Sequence, residues 1–276
     1  MDESVYIDKI MGILAKAGDA VLSIINDGPV KVKHKADWTP VTLADLSSEK
    51  IIKTELGLLT PGIPLIGEES EKVSYDERKA YSQLWLLDPI DGTRELIAGN
   101  GEYCICLALV KDNSPVEGYI YAPSSGEFWY AIKDKGAFKK TDEGYKKLPL
   151  SDPSPPNKQV SFPWDGFIIM KSRSHHNFAE RRWISKLGKK ASLKVKKQGS
   201  AIKFCRIAEG IADLYVKKGR IFEWDVAAGQ IILEESGGGV LGFETGSPLK
   251  YNEANLRLKP FLAFGSRISK PTTFLF

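Results

Sequence analysis

Trp85-Leu-Leu-Asp-Pro-Ile-Asp-Gly-Thr-Arg-Glu95 places two acidic residues where a predicted strand ends and a predicted helix begins. The apolar run 84–87 is typical of a short buried strand that ends at Asp88, and residues 92–97 are typical of a helix start. Asp88 and Asp91 lie three residues apart across this tight junction, so both carboxylates can face one point. Magnesium takes hard oxygen ligands in octahedral geometry, and this pair of carboxylates can supply them.

The residues between and after the two acids extend this possible site. The carbonyl oxygen of Ile90 is a natural further metal ligand. Gly92 and Thr93 offer backbone N–H groups, which bind phosphate at a helix start because they are unpaired donors at the positive end of the dipole. The motif alone leaves a second interpretation open, since an Asp-Gly pair is also typical of a turn and Asp88 of a helix cap.

Three more acidic residues lie in apolar surroundings elsewhere in the chain. Glu68 follows a short predicted strand, Asp225 opens an apolar helix predicted over 226–233, and Asp45 interrupts the apolar face of a helix predicted near 43–58. Each acid alone is explained as a cap or a turn residue. Taken together they favour a shared metal site, because unpaired buried carboxylates are costly.

The composition describes an ordinary globular chain of 276 residues, with 42% hydrophobic and 27% charged residues. The formal net charge of +4 is too mild to imply a nucleic-acid polymer or a membrane as partner, and it suits a small anionic partner. Residues 5–25 predict an amphipathic helix rather than a signal peptide, and no apolar stretch is long enough to cross a bilayer. We therefore expect a cytoplasmic protein without an integral membrane segment.

The chain has three cysteines, Cys104, Cys106 and Cys205. An odd, low count argues against a disulfide framework and for a reducing compartment. Cys104 and Cys106 belong to the apolar run 103–110, which predicts a buried strand with both thiols on one face. No Cys or His lies at ligand spacing nearby, so packing is favoured over a zinc or redox role.

The spacing of turns divides the chain into two parts. Residues 103–138 predict an antiparallel meander, and the Pro-rich stretch 150–157 is the best linker candidate. Beyond it, predicted strands alternate with predicted helices, which indicates an α/β arrangement. The strands are 167–171, 212–216 and 261–264, and the helices are 176–187, 200–209 and 225–236. We expect an α+β part over 1–150 and an α/β part over 151–276.

Several motifs, in order along nearly the whole chain, resemble the inositol monophosphatase superfamily of lithium-sensitive, magnesium-dependent phosphatases. They are Gly67-Glu-Glu-Ser70, Asp88-Pro-Ile-Asp-Gly-Thr93, and Trp224-Asp-Val-Ala-Ala-Gly229 with Gly237-Gly238. Within that superfamily the chain most resembles the 3′(2′),5′-bisphosphate nucleotidases, which are phosphoadenosine phosphate phosphatases. This narrower likeness depends mainly on 39–45, 172–175 and 199–205, and 208–210 and 213–215 extend it.

The resemblance implies a layered αβαβα sandwich of the inositol monophosphatase/fructose bisphosphatase type, with the site between the two parts. It also implies a hydrolase of sulfur metabolism. Such an enzyme removes the 3′-phosphate of 3′-phosphoadenosine 5′-phosphate, and of its 5′-phosphosulfate, to give AMP and phosphate in the first case. Two alternatives stay open: an inositol monophosphate or other sugar-phosphate phosphatase, and a non-catalytic phosphate-binding protein. A monomer or a homodimer is expected.

The resemblance also assigns roles to residues. About two or three Mg²⁺ ions are implied, with Asp45 contacting a further ion directly or through water. The implied metal ligands are Glu68, Asp88, the Ile90 carbonyl, Asp91 and Asp225. Thr93 and Glu68 resemble the pair that orients the attacking water, with Asp45 close to them. The implied phosphate or substrate contacts are Gly92, Thr93, Ser174, His175, Ser200, Lys203, Lys217 and Asp225.

The basic residues after Tyr215 depart from the family pattern. The nucleotidases typically place an arginine near a phosphate there, whereas this chain has Lys217-Lys218 followed by Arg220. Lysine binds phosphate as a point charge and lacks the bidentate fork of arginine. Which residue takes the place of that arginine is left open by the sequence.

Overall fold

The computed structural model describes residues 2–28, 32–34, 40–150, 166–175, 177–189 and 191–275. Apart from Leu150, the linker predicted over 150–157 lies outside these residues, and the division of the chain at 150/151 stays a prediction. Position 39 of the 39–45 motif also lies outside them.

Two long helices form the first layer. Helix α1 spans Glu3–Asn26 and helix α2 spans Leu43–Leu59, close to the predicted ranges. The short antiparallel strands β1 (Val32–His34) and β2 (Pro40–Thr42) lie between them in sequence. The apolar faces of both helices are buried against the large sheet, with Leu14 and Ile52 among the fully buried residues that contact it.

The large sheet has seven strands in the order β3-β4-β5-β6-β7-β8-β9, and only the β3–β4 pair is parallel. The predicted antiparallel meander is confirmed, and it extends past the predicted end to residue 147. Two short helices, α3 (Tyr75–Arg78) and α4 (Thr93–Ile97), flank β4 in sequence. The strands are β3 Leu65–Gly67, β4 Gln83–Asp91, β5 Cys104–Lys111, β6 Ser114–Ala122, β7 Glu127–Ile132, β8 Gly136–Thr141 and β9 Gly144–Lys147.

The second sheet has five strands in the order β11-β10-β12-β14-β13. Strands β11, β10 and β12 are parallel to one another, and β14 runs antiparallel to β12 and β13. The strands are β10 Phe167–Ser172, β11 Leu193–Gln198, β12 Leu214–Lys217, β13 Gly239–Gly242 and β14 Phe261–Phe264. The helices of this half are α5 Phe178–Gly188, α6 Ile202–Ala208 and α7 Ala227–Glu235, with 3-10 turns at Glu223–Asp225 and Pro271–Phe274.

Helices α6 and α7 lie between the two sheets, and their apolar side chains share one core with both of them. The approach of α7 to β6 is close: a Cβ atom at Gly118 would lie 2.7 Å from the carbonyl oxygen of Ala228. Helix α5 covers the outer face of the five-stranded sheet through Trp183 and Leu187. The order of layers is helices, sheet, helices, sheet, helix, so the αβαβα sandwich implied by the family resemblance is confirmed.

Two details differ from the sequence prediction. Strand β4 doesn't end at Asp88: after an irregularity, pairing resumes at Asp91, which lies opposite Cys104. Pro89 has no N–H for the sheet, which suits a bulge at this point. The helix predicted from residue 225 begins instead as the 3-10 turn, and α7 follows it. Among the helices of the described ranges, none combines the length and the apolar character needed to cross a membrane.

Candidate active site

Three carboxylates from distant parts of the chain converge at one end of the large sheet. Glu68 directly follows β3, and Asp88 lies in the neighbouring parallel strand β4, where Leu87 pairs with Gly67. The 3-10 turn before α7 brings Asp225 to the same place. One carboxylate oxygen from each of the three residues lies within 4.8 Å of the others. The fold therefore brings together three of the five acids that were predicted to share a site.

Backbone N–H groups hold the acids in place. Asp88 Oδ1 accepts a hydrogen bond from the Ile90 N–H at 2.9 Å. Asp91 Oδ2 accepts from the Ala201 N–H at 2.5 Å, and Asp225 Oδ2 accepts from the Phe222 N–H at 2.8 Å. Each of these bonds fixes the direction of one carboxylate through a single oxygen.

Burial and mutual repulsion make this cluster unstable as a set of bare charges. Burial raises the pKa of Asp88 well above its usual range, and the nearby Glu68, Asp91 and Asp225 raise it further. Burial and the neighbouring acids also raise the pKa of Asp225. Burial raises the pKa of Asp91 to about 6, although Lys203 and the Ala201 N–H oppose the shift. A divalent cation would remove this repulsion, and an all-oxygen donor set fits magnesium.

Asp45 connects the first layer of helices to the cluster. Its Oδ2 accepts from the Thr42 N–H at 2.7 Å and from Thr42 Oγ1 at 2.6 Å, which caps α2. Its Oδ1 accepts from Thr93 Oγ1 at 3.2 Å. Thr93 begins α4 directly after Gly92, whose φ of 101° lies in the left-handed region that favours glycine. Asp45 is buried, and burial raises its pKa.

Two buried lysines of the C-terminal half line the same site. Lys203 in α6 is buried, its Nζ donates to the carbonyl oxygen of Ser200, and it lies 5.1 Å from the centre of the Tyr215 ring. Burial lowers the pKa of Lys203, while the charge of Asp91 opposes that effect. Lys217, at the end of β12, is buried as well.

A cavity of about 600 Å³ is lined by these acidic side chains, here called the acidic wall, and by these lysines, here called the basic wall. Asp45 is absent from the described lining residues and reaches the site only through Thr93. Every other residue that was predicted for the site lines the cavity: Glu68, Asp88, Ile90, Asp91, Gly92, Thr93, Ser174, His175, Ser200, Lys203, Lys217 and Asp225. Of the three basic residues after Tyr215, Lys217 and Arg220 line the cavity, whereas Lys218 Nζ lies 3.8 Å from the centre of the Phe243 ring.

Two supporting acids were not predicted. Glu49 is buried in α2 and accepts from the Glu69 N–H at 2.9 Å and from Ser70 Oγ at 2.6 Å, which fixes the loop that carries Glu68. Its spacing of four residues from Asp45 puts both acids on one helix face, and that pattern is visible in the sequence. Glu102 contacts two loops that lie far along the chain, and no sequence pattern marks it.

The chain is similar to known proteins along almost its whole length. The model of the inositol monophosphatase family matches residues 2–264. The 3′(2′),5′-bisphosphate nucleotidase CysQ of Escherichia coli O157:H7 is 33% identical over 264 residues, which are 95% of this chain and 99% of that protein. The crystal structure of CysQ from Bacteroides thetaiotaomicron, a bacterial member of the same family, is 32% identical with a TM-score of 0.80, covering 96% of this chain and 98% of that one. An IMPase of Thermotoga maritima is 26% identical with a TM-score of 0.76, covering 98% and 96%.

Proposed function

This chain belongs to the inositol monophosphatase family, and from that membership we propose that it is a magnesium-dependent 3′(2′),5′-bisphosphate nucleotidase. Its proposed reaction is hydrolysis of the 3′-phosphate of 3′-phosphoadenosine 5′-phosphate, which gives AMP and inorganic phosphate. The CysQ nucleotidases, which are similar along almost the whole chain, support this choice of substrate.

One observation carries the proposal: a single cavity is lined by a cluster of carboxylates, with Asp88 buried and the others partly buried, and by two buried lysines. The acidic wall suits the reacting phosphate with its cations. The basic wall suits a second anionic group on the same molecule. An inositol monophosphate has no second phosphate for Lys203 and Lys217, whereas a nucleoside bisphosphate has one.

The acidic wall supplies the donors for the cations. Glu68, Asp88, the Ile90 carbonyl, Asp91 and Asp225 would hold Mg²⁺, with about two or three ions in all. Bound Mg²⁺ would neutralise charge on the phosphate and lower the pKa of a water molecule. The raised pKa values of Asp88 and Asp225 support this assignment, because burial and the neighbouring acids that raise them both disfavour bare carboxylates, and a bound cation would offset both effects.

Thr93 and Asp45 are proposed to orient the attacking water together with Glu68. The Thr93 hydroxyl donates its proton to Asp45 Oδ1, so its oxygen lone pairs are available to accept a hydrogen bond from water. A proton lost by that water can pass to Thr93 Oγ1 while the Thr93 proton moves to Asp45. Thr93 needs no basicity of its own for this exchange, because the carboxylate of Asp45 is the final acceptor.

The second phosphate is proposed to bind at the basic wall. Lys217 and Arg220 line the cavity directly after Tyr215, and these two take the place of the arginine that the nucleotidases typically have there. Ser174, His175 and Ser200 line the same cavity and offer hydroxyl and imidazole groups to the ribose and the phosphate.

A phosphate-release panel tests the proposal. The purified protein is assayed on 3′-phosphoadenosine 5′-phosphate, its 5′-phosphosulfate, 3′-AMP and inositol 1-phosphate, with Mg²⁺ and with EDTA. We expect the highest kcat/KM for the bisphosphate and no turnover in EDTA. Equal or better turnover of inositol 1-phosphate would contradict the substrate, and no release from any ester would contradict the reaction.

A further inference from the structure

Two buried cysteines lie directly behind the acidic wall. Cys104 and Cys106 are two residues apart in β5, so their side chains lie on the same face of the strand. Their cross-strand partners in β4 are Asp91 and Asp88, respectively. The two Sγ atoms are 3.7 Å apart, and both lie within 4.8 Å of a carboxylate oxygen of Asp91.

The distance between the two sulfur atoms can be compared with the geometry of a zinc site. Zinc binds thiolate sulfur at about 2.3 Å, so two sulfurs at corners of a tetrahedron around it lie about 3.8 Å apart. The observed Sγ–Sγ distance of 3.7 Å matches that edge. The pair therefore has the spacing of a bidentate thiolate ligand before any ion is bound.

Contrary to the packing role that the sequence favours for the two cysteines, we propose that Cys104, Cys106 and Asp91 form a binding site for a soft divalent cation, with Zn²⁺ and Cd²⁺ as its chemical class. Thiolates select such ions, whereas Mg²⁺ takes oxygen ligands and has little affinity for sulfur. Three protein donors leave the fourth tetrahedral position open. On binding, each thiol forms a metal–sulfur bond and loses its S–H bond, and the two protons pass to solvent.

The position of Asp91 makes this site inhibitory. Asp91 lines the cavity, whereas Cys104 and Cys106 have no exposed surface, so a cation that enters from the cavity meets the carboxylate first. Asp91 is also a proposed Mg²⁺ ligand, and one carboxylate drawn towards the thiolates is lost to the acidic wall. A soft cation and Mg²⁺ therefore compete for the same residue.

Cadmium binding tests the site with a readout that needs no substrate, so the result stands whether or not the nucleotidase activity is found. The protein is equilibrated with Cd²⁺ in the absence of Mg²⁺, and the ultraviolet sulfur-to-cadmium charge-transfer band is titrated. We expect one Cd²⁺ per chain with this band. Saturating Mg²⁺ should weaken the apparent Cd²⁺ affinity by about tenfold or more, as competition for one ligand requires.

Single variants identify the ligands. Cys104→Ser and Cys106→Ser should each reduce the band by about half or more and weaken Cd²⁺ binding, because each removes one of the two soft ligands. Cys205→Ser is the matched control, since this cysteine is equally buried and stands outside the cluster. Cys104→Ala and Cys106→Ala serve where a serine variant fails to fold. A band that is absent from the parent protein, or that survives in both Cys104 and Cys106 variants, would overturn the site. A Cd²⁺ affinity that saturating Mg²⁺ leaves unchanged would show that the two ions do not share Asp91.

Discussion

Arg173 and Glu102 form a bidentate ion pair that joins the two loops on the substrate side of the cavity. Arg173 Nε donates to Glu102 Oε2 at 2.6 Å, and the terminal guanidinium nitrogen donates to Oε1 at 2.5 Å. Glu102 Oε2 also accepts from the Gly199 N–H at 2.6 Å. One carboxylate thus fixes both the segment that follows β10, at Arg173, and the loop between β11 and α6, at Gly199. Burial raises the pKa of Glu102, but the bonds from Arg173 and Gly199 outweigh it and hold that pKa below its usual range.

We expect Glu102→Gln to weaken substrate binding more than the chemical step. The amide keeps one acceptor oxygen but loses the charge and one of the two bonds to Arg173. The loops that carry Ser174, His175 and Ser200 then lose a shared anchor. KM for the bisphosphate should rise about five- to tenfold while kcat changes less than about twofold. This pattern is expected when a substitution weakens the binding of substrate and of transition state equally.

Glu244→Gln is the matched control for Glu102→Gln. Glu244 accepts from Lys259 Nζ at 2.9 Å in a pair whose side chains are both well exposed and lie outside the cavity lining. Its kinetic constants should equal those of the parent enzyme, since exposed pairs contribute little. A fall in kcat with unchanged KM in Glu102→Gln would show that the anchor acts on the reacting groups instead.

Asp88→Asn is expected to abolish turnover and to stabilise the metal-free protein. Asn keeps the Oδ1 acceptor for the Ile90 N–H but carries no charge, so the repulsion with Glu68 and Asp225 disappears. In EDTA the Tm should rise by about 2–4 °C, the shift that corresponds to about 1 kcal/mol in a chain of this size. The loss in kcat should be about a thousandfold.

Thermal unfolding with and without Mg²⁺ checks the prediction for Asp88. The parent protein should gain Tm on adding Mg²⁺, since a ligand that binds only the folded state stabilises it. Asp88→Asn should gain much less. A variant that is less stable than the parent in EDTA would show that Asp88 contributes to the fold through contacts other than its charge.

The cluster of acids could be predicted from the sequence because its residues lie in short motifs at predicted strand ends and helix starts. Asp88 and Asp91 mark a single strand-to-helix junction, and the fold brings Glu68 and Asp225 to it. Glu102 could not be predicted, since its partners Arg173 and Gly199 lie about 70 to 100 residues away and only the folded chain joins them. Short-range patterns carry no information on such pairings.

Elements of the fold could be predicted where burial requires a recognisable apolar pattern in the sequence. The buried strands β10 and β14 appear as apolar runs and are predicted near their observed bounds, whereas the run 84–87 marks only the first part of β4. Strand β11 was missed because it lies at the edge of its sheet and carries Lys194, Lys196 and Lys197. Lysines on an edge strand discourage pairing with other chains. They also interrupt the alternation of apolar and polar residues from which a strand is predicted.

Thr93→Val is expected to lower kcat by about a hundredfold or more while KM changes little, the size of effect that a positioned proton-transfer group has. Valine has nearly the same shape as threonine but has no hydroxyl to join water to Asp45 Oδ1. Steady-state kinetics on the bisphosphate give both constants. Thr93→Ser keeps the hydroxyl and is the matched control, and it should retain most of the activity. Equal losses of kcat in Thr93→Val and Thr93→Ser would show that the hydroxyl takes no part in the proposed proton transfer to Asp45.

Glu127 predicts a pH dependence of stability. It lies in β7 and accepts two hydrogen bonds from Arg206 of α6, at 2.8 and 2.6 Å, and one from Lys139 Nζ at 2.6 Å. Burial raises the pKa of Glu127, but these bonds outweigh it and lower that pKa from 4.5 to about 2. A lowered carboxyl pKa means that the stabilisation is complete above pH 4.5 and is lost as the pH falls through about 2.

Glu127→Gln should therefore be less stable than the parent at pH 7, by roughly 1.5–3 kcal/mol, the range for hydrogen bonds to charged groups. The difference in free energy of unfolding between the parent and Glu127→Gln should shrink as the pH falls below about 4.5 towards 2. Urea unfolding of both proteins at pH 7, 5 and 3 measures it. Glu143→Gln removes an exposed pair with Lys146 and should show no such trend. A difference that is constant with pH would contradict the ionic origin.

The last prediction separates the two phosphates of the proposed substrate. Lys217 is buried at the end of β12 and lines the cavity, and its methylene stem packs with the surrounding residues. Lys217→Met keeps that stem and removes only the charge. KM for 3′-phosphoadenosine 5′-phosphate should rise about tenfold, whereas KM for 3′-AMP, which has no 5′-phosphate, should change less than about twofold.

Lys218→Met is the matched control, because the Lys218 ammonium lies over the Phe243 ring and outside the cavity lining. It should leave both KM values unchanged. An equal rise for both substrates in Lys217→Met would place Lys217 at the reacting phosphate instead. No rise in Lys217→Met, together with a rise for the bisphosphate alone in Arg220→Met, would assign the second phosphate to Arg220. The pair of substrates decides between these outcomes because they differ only in the group that the basic wall is proposed to bind.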